Sequence, residues 1–121
     1  MTQSQMTPAP TQQMQECIEA CMSCHSMCEE TMSSCMQKGG GQQQMQIMRA
    51  LLDCTEMTRM CADMMMRRSP MSAEMCMLCA KVCDMCAEAC MSMPDDQQMM
   101  RCAEACRRCA QTCRAMAGAG M

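Results

Sequence analysis

Residues 17–28 read CIEACMSCHSMC, four thiols at steps of four, three and four. Steps of three and four keep side chains on one face of a helix, the a and d seam of a heptad. The segment has none of the β-branched or aromatic alternation of a strand. Almost the same pattern returns twice, as CMLCAKVCDMCAEAC over residues 76–90 and CAEACRRCAQTC over residues 102–113. One short segment therefore sets the reading of the whole chain: helices, each with a stripe of sulfur.

Three breaks separate the stripes. KGGGQQQ begins at Lys38, RRSPMS at Arg67 and MSMPDD at Met91. Glycines end one segment, Ser69 and Pro70 divide two others, and Pro94 precedes the acids Asp95 and Asp96, which suit the first turn of a helix. Ser72 is placed to cap the third segment, and Gly118 to follow the fourth. All four segments are rich in Ala, Met, Glu, Gln and Arg, good helix formers. Helices are expected over about residues 11–38, 42–68, 72–92 and 95–117 of the 121-residue chain, with flexible tails at 1–10 and 118–121. Short connections favour antiparallel neighbours, so the expected fold is all-α, an up-down four-helix bundle with a cysteine-lined core.

The stripes hold every cysteine. Helix one carries Cys17, Cys21, Cys24, Cys28 and Cys35, and helix two carries Cys54 and Cys61 among Ile47, Leu51, Thr58 and Met65. Cys76, Cys79, Cys83, Cys86 and Cys90 follow on helix three, and Cys102, Cys106, Cys109 and Cys113 on helix four. Met14, Thr31, Met99 and Met116 continue the seams where cysteine stops. With 16 Cys, 24 Met and no Phe, Tyr or Trp, the interior must be largely sulfur.

Composition also excludes. A net charge of -3 with interspersed signs, and no basic stripe, argues against nucleic acid as a partner. No segment approaches the ~20 apolar residues of a membrane span. The first residues, MTQSQMTPAPTQQ, show neither a basic nor an apolar signal region, so a cytoplasmic location is expected. In that compartment thiols stay reduced, and dense cysteine points to metal or redox chemistry.

Four uses of such a core can be weighed. Cysteine as a mere small hydrophobe forfeits the ~1.5–3 kcal/mol that a larger buried side chain contributes. A disulfide-stapled helical module would face many competing pairings among thiols three or four residues apart. A Zn or Cd thiolate buffer suits the ligand type, yet every closed Cys₄ site buries a net charge of minus two, and several stacked in one core would be costly. Cu(I) is monovalent, soft and shares bridging thiolates, so about one ion per thiolate leaves the interior nearly neutral. Charge balance favours copper.

The repeated CMSC, CMLCAKVCDMCAEAC and CAEACRRCAQTC on four helices resemble the copper storage proteins over about residues 11 to 117. The resemblance implies sequestration of multiple Cu(I) ions without enzymatic turnover, the sixteen cysteines named above as ligands, a homotetramer of bundles and, with no signal, the cytosolic kind. Copper would arrive from a small-thiol carrier or a copper chaperone. Methionine is the departure: Met14, Met65, Met75 and Met116 should gather at one bundle end, and Met36, Met45, Met48, Met93 and Met99 at the other, as core filler or as weak thioether sites. The CMSCH of residues 21–25 matches a haem c attachment pattern, but His25 lies off the stripe in the middle of a helix, where a boundary role is expected. No paired carboxylates or nucleophile–base arrangement emerges, and the Cys-x-x-Cys pairs lie inside helices rather than at the helix N-terminus a redox motif needs.

Overall fold

A computed structural model describes residues 11–118. Four helices make up the fold: α1 (Gln12–Lys38), α2 (Gln42–Met66), α3 (Ser72–Met91) and α4 (Gln97–Gly118), with no strand among the described residues. Each packs on its two sequence neighbours, and α4 closes the ring on α1, while the diagonal pairs stay apart. Thiol pairing gives the direction: Cys17 meets Cys113 and Cys28 meets Cys102, so α1 and α4 run antiparallel. Cys54 meets Cys83 and Cys61 meets Cys76, so α2 and α3 do too.

The ends are set by local chemistry. The Thr11 side chain accepts from the Met14 N–H and caps α1. Gly39 and Gly40, with φ of 65° and 149°, make the turn into α2 that side chains would oppose. α2 stops at Met66, two residues short of the expected 68, because Arg68 adopts a left-handed φ of 54°. There the N–H of Ser69 reaches the Met64 carbonyl and that of Arg68 the Met65 carbonyl, a Schellman closure. Ser72 does not cap α3 as the sequence suggests. Its hydroxyl donates to the Ser69 carbonyl at 2.8 Å, and Met71 holds the cap position without a side-chain bond. α3 ends at Met91, with Ser92 beyond it as C-cap. α4 begins at Gln97 rather than Asp95, since Asp96 is the residue whose carboxylate accepts the Met99 N–H, at 3.1 Å. Gly118 is the last helical residue, and the expected tails at 1–10 and 119–121 lie outside the described residues.

Every seam position named from the sequence on α2, α3 and α4 is buried, together with Cys17, Cys21, Cys24, Cys28, Thr31 and Cys35 on α1. Small residues flank the seams: Ala80 and Ala87 on α3, and Ala103 and Ala110 on α4, are buried one heptad apart and let the backbones approach. Among the fully buried residues described, the branched aliphatics are Ile47 and Leu51, one turn apart on α2. Cysteine alone could not supply that much apolar volume.

Two stability predictions follow from this division. Leu51→Ala is expected to cost about 2–5 kcal/mol in urea unfolding of the metal-free protein, against less than about 0.5 kcal/mol for the exposed Leu52→Ala. Asp96 also pairs with Lys38 at 2.6 Å, which with the Met99 bond holds its carboxyl below the ordinary value. A depressed folded pKa means the stability is present above about pH 3.9 and is lost as pH falls through the lower, folded value. The acid limb of the unfolding curve should therefore flatten in Asp96→Asn, which keeps a capping oxygen, whereas Asp96→Ala should lose about a further 1 kcal/mol at neutral pH.

Candidate metal centre

All sixteen cysteines are free thiols and all are buried. Heptad spacing turns each stripe inward, and antiparallel packing interleaves the stripes into one file along the bundle axis. Five groups of thiols have every sulfur within 4.8 Å of the others: Cys17–Cys76–Cys113, Cys21–Cys61–Cys79–Cys113, Cys24–Cys83–Cys109, Cys24–Cys28–Cys54–Cys106 and Cys28–Cys86–Cys102–Cys106. Shared members, Cys113, Cys24, Cys28 and Cys106, join neighbouring groups. Individual Sγ–Sγ distances of 3.6 Å for Cys109–Cys21, 3.7 Å for Cys24–Cys106 and 3.9 Å for Cys54–Cys106 are those of sulfurs sharing one soft ion.

The file has unequal ends. At one, the Cys76 S–H donates to the Met65 Sδ at 3.8 Å, and Met116 is buried one turn beyond Cys113 on α4. Toward the other, the α2 stripe passes from Cys54 to Leu51 and Ile47, and sulfur gives way to hydrocarbon. Cys35 and Cys90 lie at that end, buried but in none of the five groups. Spacing alone makes all sixteen cysteines equivalent; the register between helices separates these two. Of the methionines expected at this end, Met99 is buried, while Met36 and Met45 are 70% and 58% exposed and turn to solvent.

Thr31 and Thr58 interrupt the stripes without adding free polar atoms. The Thr58 hydroxyl donates to the Cys54 carbonyl at 2.7 Å, and that of Thr31 to Met27 at 2.7 Å, so each presents a methyl group to the core. His25 stands at the α1–α2 boundary. Its Nδ1 donates to the Thr55 carbonyl at 2.8 Å and its Nε2 faces Glu29 at 3.8 Å. The ring bonds to the α2 backbone, and Cys21 and Cys24 of the CMSCH motif are fully buried rather than displayed for haem attachment.

Electrostatics decide what the file can hold. Among the described residues the buried polar side chains are Thr31, Thr55, Thr58 and Ser72, so no Lys, Arg or His reaches the core to balance a thiolate. Burial pushes the Cys35 thiol up, with the nearby Cys90 and Asp96 adding to the effect. Within the groups the S–H bonds partition the protons. Cys28 is pushed down by the thiols of Cys102, Cys106, Cys24 and Cys54, while Cys113 is pushed up by those of Cys109, Cys17 and Cys21. With no cation among the buried residues described, ionisation of these thiols requires an incoming positive charge.

These thiols should be shielded but reactive once exposed. A chromogenic disulfide reagent is expected to titrate all sixteen cysteines of anaerobic protein in denaturant and to react far more slowly with the folded chain. A count near zero in denaturant would select the disulfide-stapled module instead.

The chain is similar to solved structures of the same architecture. Apo copper storage protein 3 from Bacillus subtilis is 32% identical over 85% of this chain and 97% of its own, with a TM-score of 0.76. The Cu(I)-bound copper storage protein BsCsp3 is 31% identical over 88% and 99%, with a TM-score of 0.83. The Nmul_A1745 protein of Nitrosospira multiformis is 32% identical over 89% and 97%, with a TM-score of 0.80. No curated protein sequence matches the chain. The family model described as copper storage protein matches residues 10–118, nearly the whole described bundle, and the chain belongs to the copper storage protein family.

Proposed function

We propose that the bundle stores multiple Cu(I) ions on the thiolates of its core, in the cytoplasm and without turnover. One observation carries the reading: sixteen buried thiols share an interior with no Lys, Arg or His among the buried residues of the described chain. A monovalent ion that displaces one proton per thiol leaves that interior neutral however many sites are filled. The Cu(I)-bound state of the similar BsCsp3 supports the choice of metal. The ligands are Cys17, Cys21, Cys24, Cys28, Cys54, Cys61, Cys76, Cys79, Cys83, Cys86, Cys102, Cys106, Cys109 and Cys113, which the five groups bring together, with Cys35 and Cys90 joining as the last to load.

Loading follows from the asymmetry of the file. Cu(I) delivered by a small-thiol carrier or a copper chaperone enters at the Cys17–Cys76–Cys113 group, where Cys76 meets Met65, since toward the other end Ile47 and Leu51 replace thiols on the α2 stripe. Each thiolate exchange moves the ion to sulfur less than 4 Å away, for example from Cys113 to Cys21 at 3.8 Å and from Cys24 to Cys54 at 3.8 Å. The displaced proton leaves as the ion arrives, so affinity should fall as pH is lowered. Outward-facing Leu52, Leu78, Met77 and Met85 leave apolar surface for association of bundles into a homotetramer. No described helix is long and apolar enough to cross a membrane.

Anaerobic addition of Cu(I) to the reduced protein, with metal analysis after gel filtration, should show retention of about one ion per cysteine. Retention of only one or two ions would remove the storage assignment. Because the metal binds the folded chain, the melting temperature should rise with each addition and return to the apo value when a strong Cu(I) chelator strips the core.

A further inference from the structure

One group of thiols is built differently from the rest. Cys21 comes from α1, Cys61 from α2, Cys79 from α3 and Cys113 from α4, and this is the one group among the described residues that takes a single ligand from every helix. All four sulfurs lie within 4.8 Å of one another, with Cys21 and Cys113 at 3.8 Å. A tetrahedral centre with metal–sulfur bonds of ~2.3 Å has sulfur–sulfur edges of ~3.8 Å, the length of the Cys21–Cys113 edge, and the other edges, all within 4.8 Å, need only draw in around the ion.

The obstacle to a divalent ion is charge, since four thiolates and one M²⁺ leave minus two in a dry core. Here each of the four ligands has at least one thiol outside the group within hydrogen-bonding reach. Cys109 donates to Cys21 at 3.6 Å and Cys17 donates to Cys113 at 3.7 Å. Cys76 stands 3.7 Å from Cys61 and Cys83 stands 3.9 Å from Cys79, with either sulfur of each pair placed to donate; the one Cys76 proton, directed at the Met65 Sδ in the metal-free chain, turns to Cys61 when that thiol ionises. Four protonated outer thiols can thus give one S–H bond to each of four coordinated thiolates, spreading the excess charge over eight sulfurs. The Cys24–Cys28–Cys54–Cys106 group lacks this arrangement: it takes no ligand from α3, and its Cys54 donates outward to Cys83 at 3.7 Å.

We propose that Cys21, Cys61, Cys79 and Cys113 form a discrete tetrahedral site for one divalent d¹⁰ cation of the zinc and cadmium class, with Cys17, Cys76, Cys83 and Cys109 as its hydrogen-bonding outer shell. The four thiols also belong to the Cu(I) file, so the two metals compete for them, but the mode of binding differs. A monovalent ion shares thiolates with the next ion and continues along the core, whereas this cation takes four ligands, one per helix, and stops. It would pin the four helices at one level in a chain otherwise empty of metal.

The test uses Cd(II) with the reduced full-length chain under anaerobic conditions and no copper, so its outcome is independent of the Cu(I) reading. In the presence of a competing carboxylate chelator one cadmium per chain should be retained, with the ultraviolet absorption and ¹¹³Cd resonance of tetrathiolate coordination; the absence of aromatic residues keeps the ultraviolet background low. Cys61→Ser, which removes a ligand belonging to this group alone, should weaken retention more than about 100-fold, and Cys54→Ser should leave it within a few-fold. Cys76→Ala keeps all four ligands and should keep the tetrathiolate signature while weakening binding about 10- to 100-fold, which separates loss of the site from loss of folding. No retained ion in the wild type, undiminished binding in Cys61→Ser, or loss in Cys54→Ser but not in Cys61→Ser would overturn the site. Unchanged affinity in Cys76→Ala would overturn the role of the outer thiols.

Discussion

A thiol is the one side chain that packs as a small hydrophobe when protonated and binds a soft cation when ionised, and the bundle depends on that double character. With its protons on, the file of cysteines is an apolar core that requires no counter-charge. With its protons replaced by Cu(I), the same file is still neutral. The absence of any Lys, Arg or His among the buried residues of the described chain follows from this constraint, because a resident cation would neutralise thiolates that the cargo must neutralise.

Sulfur-for-hydrocarbon exchange has a stability cost, and the structure distributes it along the axis. Ile47, Leu51, Met32 and Met99 concentrate apolar volume at one end, where α2 gives up its thiols. At the other end Met65 and Met116 are buried around the last thiols, large side chains that keep a sulfur within reach of the file. The methionine excess is thus divided: buried thioethers complete the core, while Met36, Met45, Met77 and Met85 lie in the solvent-facing surface.

Local spacing carried much of the fold. Steps of three and four identify four inward stripes, and glycine and proline divide them, because both signals are properties of one helix and its ends. Some helix ends escaped that reading for equally local reasons. Arg68 takes a left-handed conformation that residues other than glycine seldom adopt, and the Ser72 hydroxyl is engaged in donating to the Ser69 carbonyl. Neither choice is visible in a propensity.

What the sequence determined by itself was the class of site: soft, buried, many-membered and repeated, on an all-helical frame, since residue type and period decide softness and facing. Tertiary structure decided which sulfurs meet. Cys113 joins both Cys17 and Cys21, Cys61 closes a four-helix tetrahedron, and Cys35 and Cys90 are left outside the groups. Those pairings depend on the axial register between helices, which loop length, helix ends and the packing of Leu51 and the alanines set together, and no spacing within a single stripe contains that information.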